Sequence, residues 1–276
     1  MERFEVTLDV RDDASLVVRE AVTFRFDGSH RGVYRVIPVR YTRAGLDYAL
    51  RLDAIQALED GRRPLRTEIA YPARYVRIKA WVPDAANTTR TIVFVYRVRR
   101  ALFTVEGHQE LYWNVTGDEW DVPIGAAVAT VASPVALDGV RSIAYTGARG
   151  QSGADYVEDR RDRYLVFRAT RPFRPREGLT VAVAWPAGSI ARPPAWRQAA
   201  WYLEDNWPLG LPLLALALGL VAWRRYGRDP AVDLSVKPEY APPPGLSPAE
   251  GGALVDERVE PRDGVATLVA LAVRGY

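Results

Sequence analysis

Residues 207–223 read WPLGLPLLALALGLVAW, a run of 17 residues without a charged side chain in which seven are leucine. A helix that crosses a bilayer takes about 20 mainly apolar residues, with a range of roughly 17 to 25. Trp207 and Trp223 bracket the run, and tryptophan is enriched at the level of the lipid headgroups. A buried helix in a soluble protein is the alternative, but these flanks favour a membrane anchor. The sequence therefore predicts one transmembrane helix, which with its flanks occupies residues 201–226.

The charges at the two ends of this segment predict its orientation. Arg224 and Arg225 follow the apolar run directly, whereas Glu204 and Asp205 precede it. Basic residues close to a membrane helix favour the cytoplasmic side. We therefore expect residues 1–200 outside the cytoplasm and the C-terminal segment inside, with the lipid bilayer as one partner.

The composition of the chain excludes several classes of function. The 276 residues carry a net charge of +3 and include two histidines and no cysteine. Thiol catalysis and thiolate metal sites are thereby excluded, and a metal site built on several histidines nearly so, so no metal and no cofactor is expected. Arginine is scattered singly instead of forming the basic stripe of a nucleic-acid surface, and no nucleic-acid partner is expected.

The region before the apolar run alternates between apolar and polar residues. Phe4, Val6, Leu8 and Val10 share one face of the first run, which is typical of a half-buried strand. Many short strands punctuated by Gly, Pro and Asp indicate a sandwich. The sequence predicts a mainly β protein with an antiparallel β-sandwich in residues 1–200, as one unit or as two that divide near residue 133. Further strand-like runs cover 16–26, 75–82, 91–98, 110–115, 127–131, 164–169 and 179–185.

Glu20 breaks the pattern of the second run. It lies in phase with Val18 and Val22, so its side chain should point inward. A buried carboxylate requires a partner or a shifted pKa, and the nearby cations are Arg31 and Arg35. We predict a buried ion pair that joins the strand to a loop. The alternatives are a catalytic carboxylate and a bulge that changes the register.

Aromatic and acidic residues lie together in residues 110–124, ELYWNVTGDEWDVPI. Rings beside carboxylates can bind a sugar or a cation, although an ordinary strand, turn and return strand has the same composition. The glycine-rich residues 147–153 lack the lysine and the following helix of a phosphate loop and are interpreted as a flexible loop. The weak binding candidates are Tyr112, Trp113, Asp118, Trp120 and Asp121.

The segment after the apolar run predicts a linker and two helices. Residues 227–248 are rich in proline and form a semi-rigid spacer. Ser247 and Glu250 have the spacing of a capping box, and a second helix is expected over 261–273. Residues 249–276 would then begin a cytoplasmic helical domain, winged-helix-like in one interpretation, that is truncated at the end of this chain.

These stretches together resemble a bacterial family of predicted membrane proteins, domain of unknown function 2207. The resemblance implies a bacterial cell membrane, a leader peptide upstream and further cytoplasmic and membrane segments downstream. It implies no activity, and no catalytic residue can be transferred. The segments that carry it are 18–20 (VRE), 31–38 (RGVYRVIP), 110–117 (ELYWNVTG), 227–230 (GRDP), 240–243 (YAPP), 245–248 (GLSP) and 271–276 (LAVRGY).

Three functions are compatible with this architecture. The first is a non-enzymatic envelope protein that binds a protein or a glycan on its outer face and scaffolds or relays a signal. The second is a membrane-tethered regulator with a winged-helix-like inner domain. The third is an envelope hydrolase that uses carboxylates such as Glu20, Asp118, Glu119 or Asp121, because glycosidases need two carboxyl groups.

Overall fold

The computed structural model describes residues 1–43, 45–105, 107–228 and 243–276. Of the described residues, 47% lie in strands and 20% in helices, so the protein is mainly β. The chain divides into two compact units, Met1–Ala215 and Leu216–Tyr276, and each is described by itself. Most of the predicted proline-rich linker, residues 229–242, lies outside the described residues.

The strands of the described residues all lie before the apolar helix. In chain order they are Arg3–Val10 (β1), Leu16–Arg25 (β2), Ser29–Pro38 (β3), Arg40–Arg43 (β4), Leu46–Ala49 (β5), Arg51–Glu59 (β6), Arg63–Pro64 (β7), Thr67–Ala70 (β8), Tyr75–Ala86 (β9), Thr89–Arg99 (β10), Leu102–Val105 (β11), His108–Asn114 (β12), Ala126–Ala132 (β13), Arg141–Ala148 (β14), Tyr156–Arg161 (β15), Tyr164–Ala169 (β16) and Glu177–Trp185 (β17).

The helices follow the strands. They are Ala195–Asp205 (α1), a short 3₁₀ helix at Trp207–Gly210, Leu211–Tyr226 (α2), Pro248–Asp256 (α3) and Pro261–Val273 (α4).

The strands form four sheets. The largest has eight strands in the order β15-β16-β13-β1-β2-β10-β6-β7, and the second has four in the order β11-β12-β17-β14. A three-stranded sheet has the order β3-β9-β8, and β4 pairs with β5. Buried residues of all these sheets belong to one hydrophobic cluster, for example Leu8, Ile78 and Leu111. These sheets lie within the compact unit Met1–Ala215, in which Ser133 accepts a hydrogen bond from the buried Trp185.

The alternation in β1 and β2 reproduces the predicted faces. Phe4, Leu8 and Val18 are fully buried, and the residues that alternate with the inward positions of both strands are at least partly exposed. The turn between the strands is closed by Asp13, which accepts hydrogen bonds from the backbone and the hydroxyl of Ser15. Two-residue periodicity therefore located this hairpin correctly.

One pair of strands is parallel, contrary to the prediction of an antiparallel domain. β1 pairs with β13 in parallel, from Arg3 opposite Ala126 to Asp9 opposite Ala132. A parallel pair requires a long crossover connection, and here the connection contains the strands β2 to β12. Nothing in the local pattern of either strand reveals such a distant partner.

The segment predicted to be a loop around Arg35 is strand β3. Its inward positions are Val33, Arg35 and Ile37, so an arginine occupies the middle of the apolar face and obscures the alternation. Gly32 lies at an irregularity in its pairing with β9, where an added Cβ would lie 3.1 Å from the Cα of Trp81. The predicted bridge thus joins two strands instead of a strand and a loop.

The glycine-rich segment is also more regular than predicted. Gly147 is part of β14, and Thr146 and Gly153 exchange two backbone hydrogen bonds of 2.8 and 2.9 Å. The Gln151 side chain accepts a further bond from the amide of Ala148. Residues 147–153 therefore form a hydrogen-bonded turn, and the charged segment that follows is strand β15.

The second unit contains α3 and α4 at the predicted positions. Ser247 and Glu250 form the predicted capping box of α3, and α4 ends before Gly275, which has a left-handed φ of 86°. Thr267 of α4 accepts a hydrogen bond of 3.1 Å from the amide of Ala249 in α3.

Candidate functional site

Glu20, Arg35 and Tyr96 form a buried polar network, here called the three-sheet junction. Glu20 and Tyr96 lie on β2 and β10 of the eight-stranded sheet, and Arg35 lies on β3 of the three-stranded sheet. Glu20 and Tyr96 are 0% exposed and Arg35 is 2% exposed. Arg35 donates to Glu20 through Nε at 2.6 Å and through Nη2 at 2.7 Å, and the Tyr96 hydroxyl donates to Glu20 at 2.7 Å.

Backbone carbonyl groups satisfy the remaining donors of Arg35. Nη2 also donates to the carbonyl of Val115 at 3.2 Å, and Nη1 donates to Thr116 at 3.0 Å and to Val36 at 3.2 Å. A guanidinium group has five N–H donors, and each has an acceptor here. Val115 and Thr116 directly follow β12, so this side chain connects three sheets.

The charges of the three-sheet junction stabilise one another. Burial alone lowers the pKa of Arg35, but the Glu20 carboxylate and its hydrogen bonds outweigh burial and raise that pKa. Burial, followed by the Glu20 charge, raises the pKa of the Tyr96 phenol well above its usual value. Glu20 is thus held by two charge-assisted bonds and one phenol, without contact with solvent. This arrangement supports a structural role, and the other candidate cation, Arg31, is exposed.

Two of the five binding candidates pack in or against the core, Trp113 as a buried residue and Trp120 as a partly buried one. Trp113 is buried on the inner side of β12. Trp120 packs against Phe4 and Phe24, with ring centroids 6.2 and 5.9 Å away, and its Nε1 donates to the carbonyl of Thr116 at 2.7 Å. Both indoles therefore support the fold around the three-sheet junction.

The acidic candidates occupy separate places. Asp121 forms an exposed ion pair of 3.0 Å with Arg176. Asp118 accepts a long bond of 3.4 Å from the amide of Asn114 and faces a groove. Glu20 lies in the three-sheet junction. Of the four carboxylates named for a hydrolase, Asp118 and Glu119 therefore line the same groove, whereas Glu20 and Asp121 lie elsewhere.

Tyr112 points outward into this groove, which has a volume of about 450 Å³. It is 54% exposed, and three further tyrosines that the sequence did not single out contribute to the lining. Burial first, and the Asp118 charge second, raise the pKa of Tyr41 to about 12. We call this feature the tyrosine groove, defined by Tyr41, Tyr75, Tyr112, Tyr145, Asp118 and Glu119.

No local pattern could have identified the added tyrosines. Tyr41 lies on the short strand β4, Tyr75 is the first residue of β9, and Tyr145 lies on β14. The one available signal is the outward phase of Tyr145 between the buried Ala144 and Thr146. Their convergence depends on how the sheets are arranged.

A second polar cluster holds the end of α1 against β5. The Asn206 side chain accepts from the amide of Asp47 at 2.8 Å and donates to its carbonyl at 2.9 Å. Asp205 accepts from the amide of Ala49 at 3.1 Å and from Arg51 at 2.9 Å. We call this cluster the Asp205–Asn206 clamp.

Arg100 is the buried cation of the clamp. It pairs with Asp205, and both side chains are nearly inaccessible to solvent. Its guanidinium lies 4.3 Å from the ring centroid of Tyr48 and 5.2 Å from that of Trp201. Trp201 was expected to flank the membrane segment, but it belongs to the separate helix α1 that packs beside the sheets.

The first 185 of the 276 residues match the family described as "Predicted membrane protein (DUF2207) N-terminal domain". The chain belongs to this family. No curated protein matches the sequence.

Several solved structures show a distant likeness. Leukotriene A4 hydrolase from Saccharomyces cerevisiae is 10% identical with a TM-score of 0.42, and the match covers 66% of this chain and 28% of that one. An M1 zinc metallopeptidase from Deinococcus radiodurans is 14% identical with a TM-score of 0.36, over 66% and 41%. The chain thus spans less than half of these proteins, and such values support no inference about activity. Among the described residues, no group of three or more His, Asp or Glu side chains could hold a metal ion.

The membrane character of the DUF2207 family agrees with one helix of this chain. Within the described residues, Trp207–Tyr226 is the one helix long and apolar enough to cross a membrane, and its 20 residues remain unburied. Trp207 and Trp223 are exposed near its ends. Arg224 and Arg225 lie in its last turn. This candidate transmembrane helix begins at the residue directly after Asn206.

Proposed function

We propose that the protein is a single-pass envelope protein whose N-terminal β domain lies outside the cytoplasm. In this proposal the β domain has a sandwich-like arrangement, binds a ligand without catalysing a reaction, and transmits binding to the inner segment. The observation that carries the proposal is the Asp205–Asn206 clamp, because it fixes the β domain to the residue that precedes Trp207.

The clamp favours transmission over simple tethering. A flexible tether would need only a polar linker between domain and helix. Instead, Asn206 pairs with the backbone of Asp47 through two hydrogen bonds, as a neighbouring strand would. Asp205 and Arg100 add a buried ion pair, and breaking such a pair from one side costs about 3–5 kcal/mol. A displacement of β5 would therefore reach the start of the candidate transmembrane helix.

The absence of cysteine allows orientation to be measured with single introduced thiols. Asp12 is exposed between β1 and β2, and Arg258 is exposed between α3 and α4. A membrane-impermeant maleimide should label Asp12→Cys in intact spheroplasts and Arg258→Cys only after permeabilisation. Labelling in the reverse order would overturn the proposed orientation.

The coupling is tested at Leu203, an exposed residue of α1. A nitroxide attached to Leu203→Cys in the full chain, in lipid nanodiscs, should report an immobile helix. Adding Asn206→Ala should increase its mobility, whereas Glu204→Gln, which changes a mainly exposed carboxylate, should not. A nitroxide that is already mobile without Asn206→Ala would refute the rigid connection.

A further inference from the structure

We propose that the tyrosine groove binds a glycan composed of neutral or amino sugars. The inference rests on the proposed function, since it names the ligand class of the outer domain. It depends on the shape of the groove, on the chemistry of its lining and on its charge.

The groove lies on the outward face of the four-stranded sheet. Tyr112 on β12 is opposite Ala182 on β17, and Asn114 is opposite Thr180, which in turn is opposite Tyr145 on β14. Small residues in the central strand therefore leave a floor between two tyrosines. Neighbouring strands are about 4.8 Å apart, so β12 and β14, which carry Tyr112 and Tyr145 on either side of β17, are roughly 10 Å apart. This spacing suits an extended ligand.

Segments from outside this sheet form the other walls. Tyr41 and Tyr75 come from β4 and the start of β9, and Gln151 and Ser152 come from the hydrogen-bonded turn after β14. The Tyr41 hydroxyl donates to the carbonyl of Pro38 at 3.1 Å, which orients its ring. A hydrogen bond to the backbone thus holds Tyr41 on one side of the groove, and the hydrogen-bonded turn after β14 forms the other side.

The lining combines flat rings with groups that donate and accept hydrogen bonds. Tyr41 and Tyr112 are neutral phenols at neutral pH, since the ordinary pKa of tyrosine is about 10 and burial raises the pKa of both side chains further. A sugar ring presents C–H faces that pack on aromatic rings and hydroxyl groups that need both donors and acceptors. Phenols, the Asn114 amide and the Gln151 amide supply both. The protein already uses part of this capacity, since the Tyr41 hydroxyl donates to Pro38 and the side-chain oxygens of Asn114 and Gln151 accept backbone amides. An apolar ligand would displace water from the remaining donor and acceptor positions without replacing its hydrogen bonds.

The charge of the groove restricts the sugar. Its charged lining consists of Asp118 and Glu119 against Arg149. This excess of carboxylate disfavours uronic or sialic acids and is compatible with neutral or amino sugars. Exposed aromatic rings beside carboxylates also attract quaternary ammonium ions, so a cation is the competing occupant that the test must separate.

The experiment uses the full chain in lipid nanodiscs, so that no sugar-headed detergent competes. Chitohexaose is the neutral probe, hexagalacturonate the acidic probe and tetramethylammonium the cationic probe, each titrated by calorimetry. Tyr112→Ala removes an outward ring. Tyr164→Ala is the matched control, because Tyr164 is 49% exposed on β16, outside the groove.

Chitohexaose should bind saturably, Tyr112→Ala should weaken its affinity about tenfold, and Tyr164→Ala should leave the affinity unchanged. Equal unfolding midpoints of the two variants would exclude misfolding as the cause. The proposal is overturned by no saturable binding of chitohexaose, by binding that survives Tyr112→Ala, by preference for hexagalacturonate, or by binding of tetramethylammonium alone. New reducing ends during long incubation would instead refute the non-enzymatic function while glycan binding stands.

Discussion

Replacement of Glu20 by Gln should strongly destabilise the β domain. Glu20 accepts three hydrogen bonds, two from Arg35 and one from Tyr96. A glutamine amide has one acceptor oxygen and one NH₂ group, which can only donate. If the oxygen takes the place of Oε1, the NH₂ group faces the Nε–H of Arg35, and donor meets donor. The reverse orientation leaves Arg35 Nη2 facing a donor, and the Tyr96 hydroxyl must rotate to accept instead of donate.

The magnitude follows from the buried charge that remains. Arg35 is 2% exposed and would keep its charge without a counter-ion. Removing one partner of a buried pair costs about 3–5 kcal/mol. For a unit of this size, 1 kcal/mol shifts Tm by about 2–4 °C, so the variant should melt roughly 6–20 °C lower.

Urea unfolding at pH 7, followed by tryptophan fluorescence, measures this effect on the full chain in nanodiscs. The matched control is Glu5→Gln, because Glu5 forms an exposed ion pair of 2.6 Å with Arg3. Exposed pairs contribute only about 0–1 kcal/mol. If Glu20→Gln unfolds at the same urea concentration as the unmodified chain, or at a higher one, the structural role is refuted and a functional carboxylate becomes the better explanation.

Two further results are expected. Burial raises the pKa of Tyr48 and Tyr96, so above about pH 10 the folded state retains protons that the unfolded chain releases. The free energy of unfolding should therefore fall by up to about 1.4 kcal/mol per pH unit for each phenol. Tyr96→Phe should flatten this pH dependence, and an unfolding free energy that does not change with pH in the parent chain would contradict the prediction. Gly178→Ala should cost about 1–3 kcal/mol in urea unfolding, because its Cβ would lie 2.8 Å from the carbonyl oxygen of Gly117. Gly251→Ala, which meets open space, should leave the β domain unchanged, and equal effects of the two changes would refute the steric argument.

Features that depend on neighbouring residues could be predicted from the sequence. The alternation of β1 and β2, the apolar run that becomes Trp207–Tyr226, and the capping box at Ser247 all occur in the structure. The inward phase of Glu20 was also visible, because two-residue periodicity assigns each side chain to a face without reference to other strands.

Only the tertiary structure decided which distant segments meet. Three features join residues that are far apart in the chain. They are the parallel pairing of β1 with β13, the hydrogen bond that Tyr96 on β10 donates to Glu20, and the convergence of Tyr41 with Tyr145. Arg35 was named as a candidate partner of Glu20, but the strand that carries it was missed for a related reason, since a charged residue at an inward position masks the apolar alternation of β3.

The Asp205–Asn206 clamp shows both what the sequence determined and what depends on the tertiary structure. The sequence placed both residues beside a long apolar run, and hydropathy alone extended the membrane segment back through Trp201 and Asn206. The structure instead ends α1 at Asp205 and pairs Asn206 with Asp47, 159 residues away. Hydropathy reports the average solvent preference of a segment, whereas a hydrogen bond depends on the position of its partner, which only the folded chain determines.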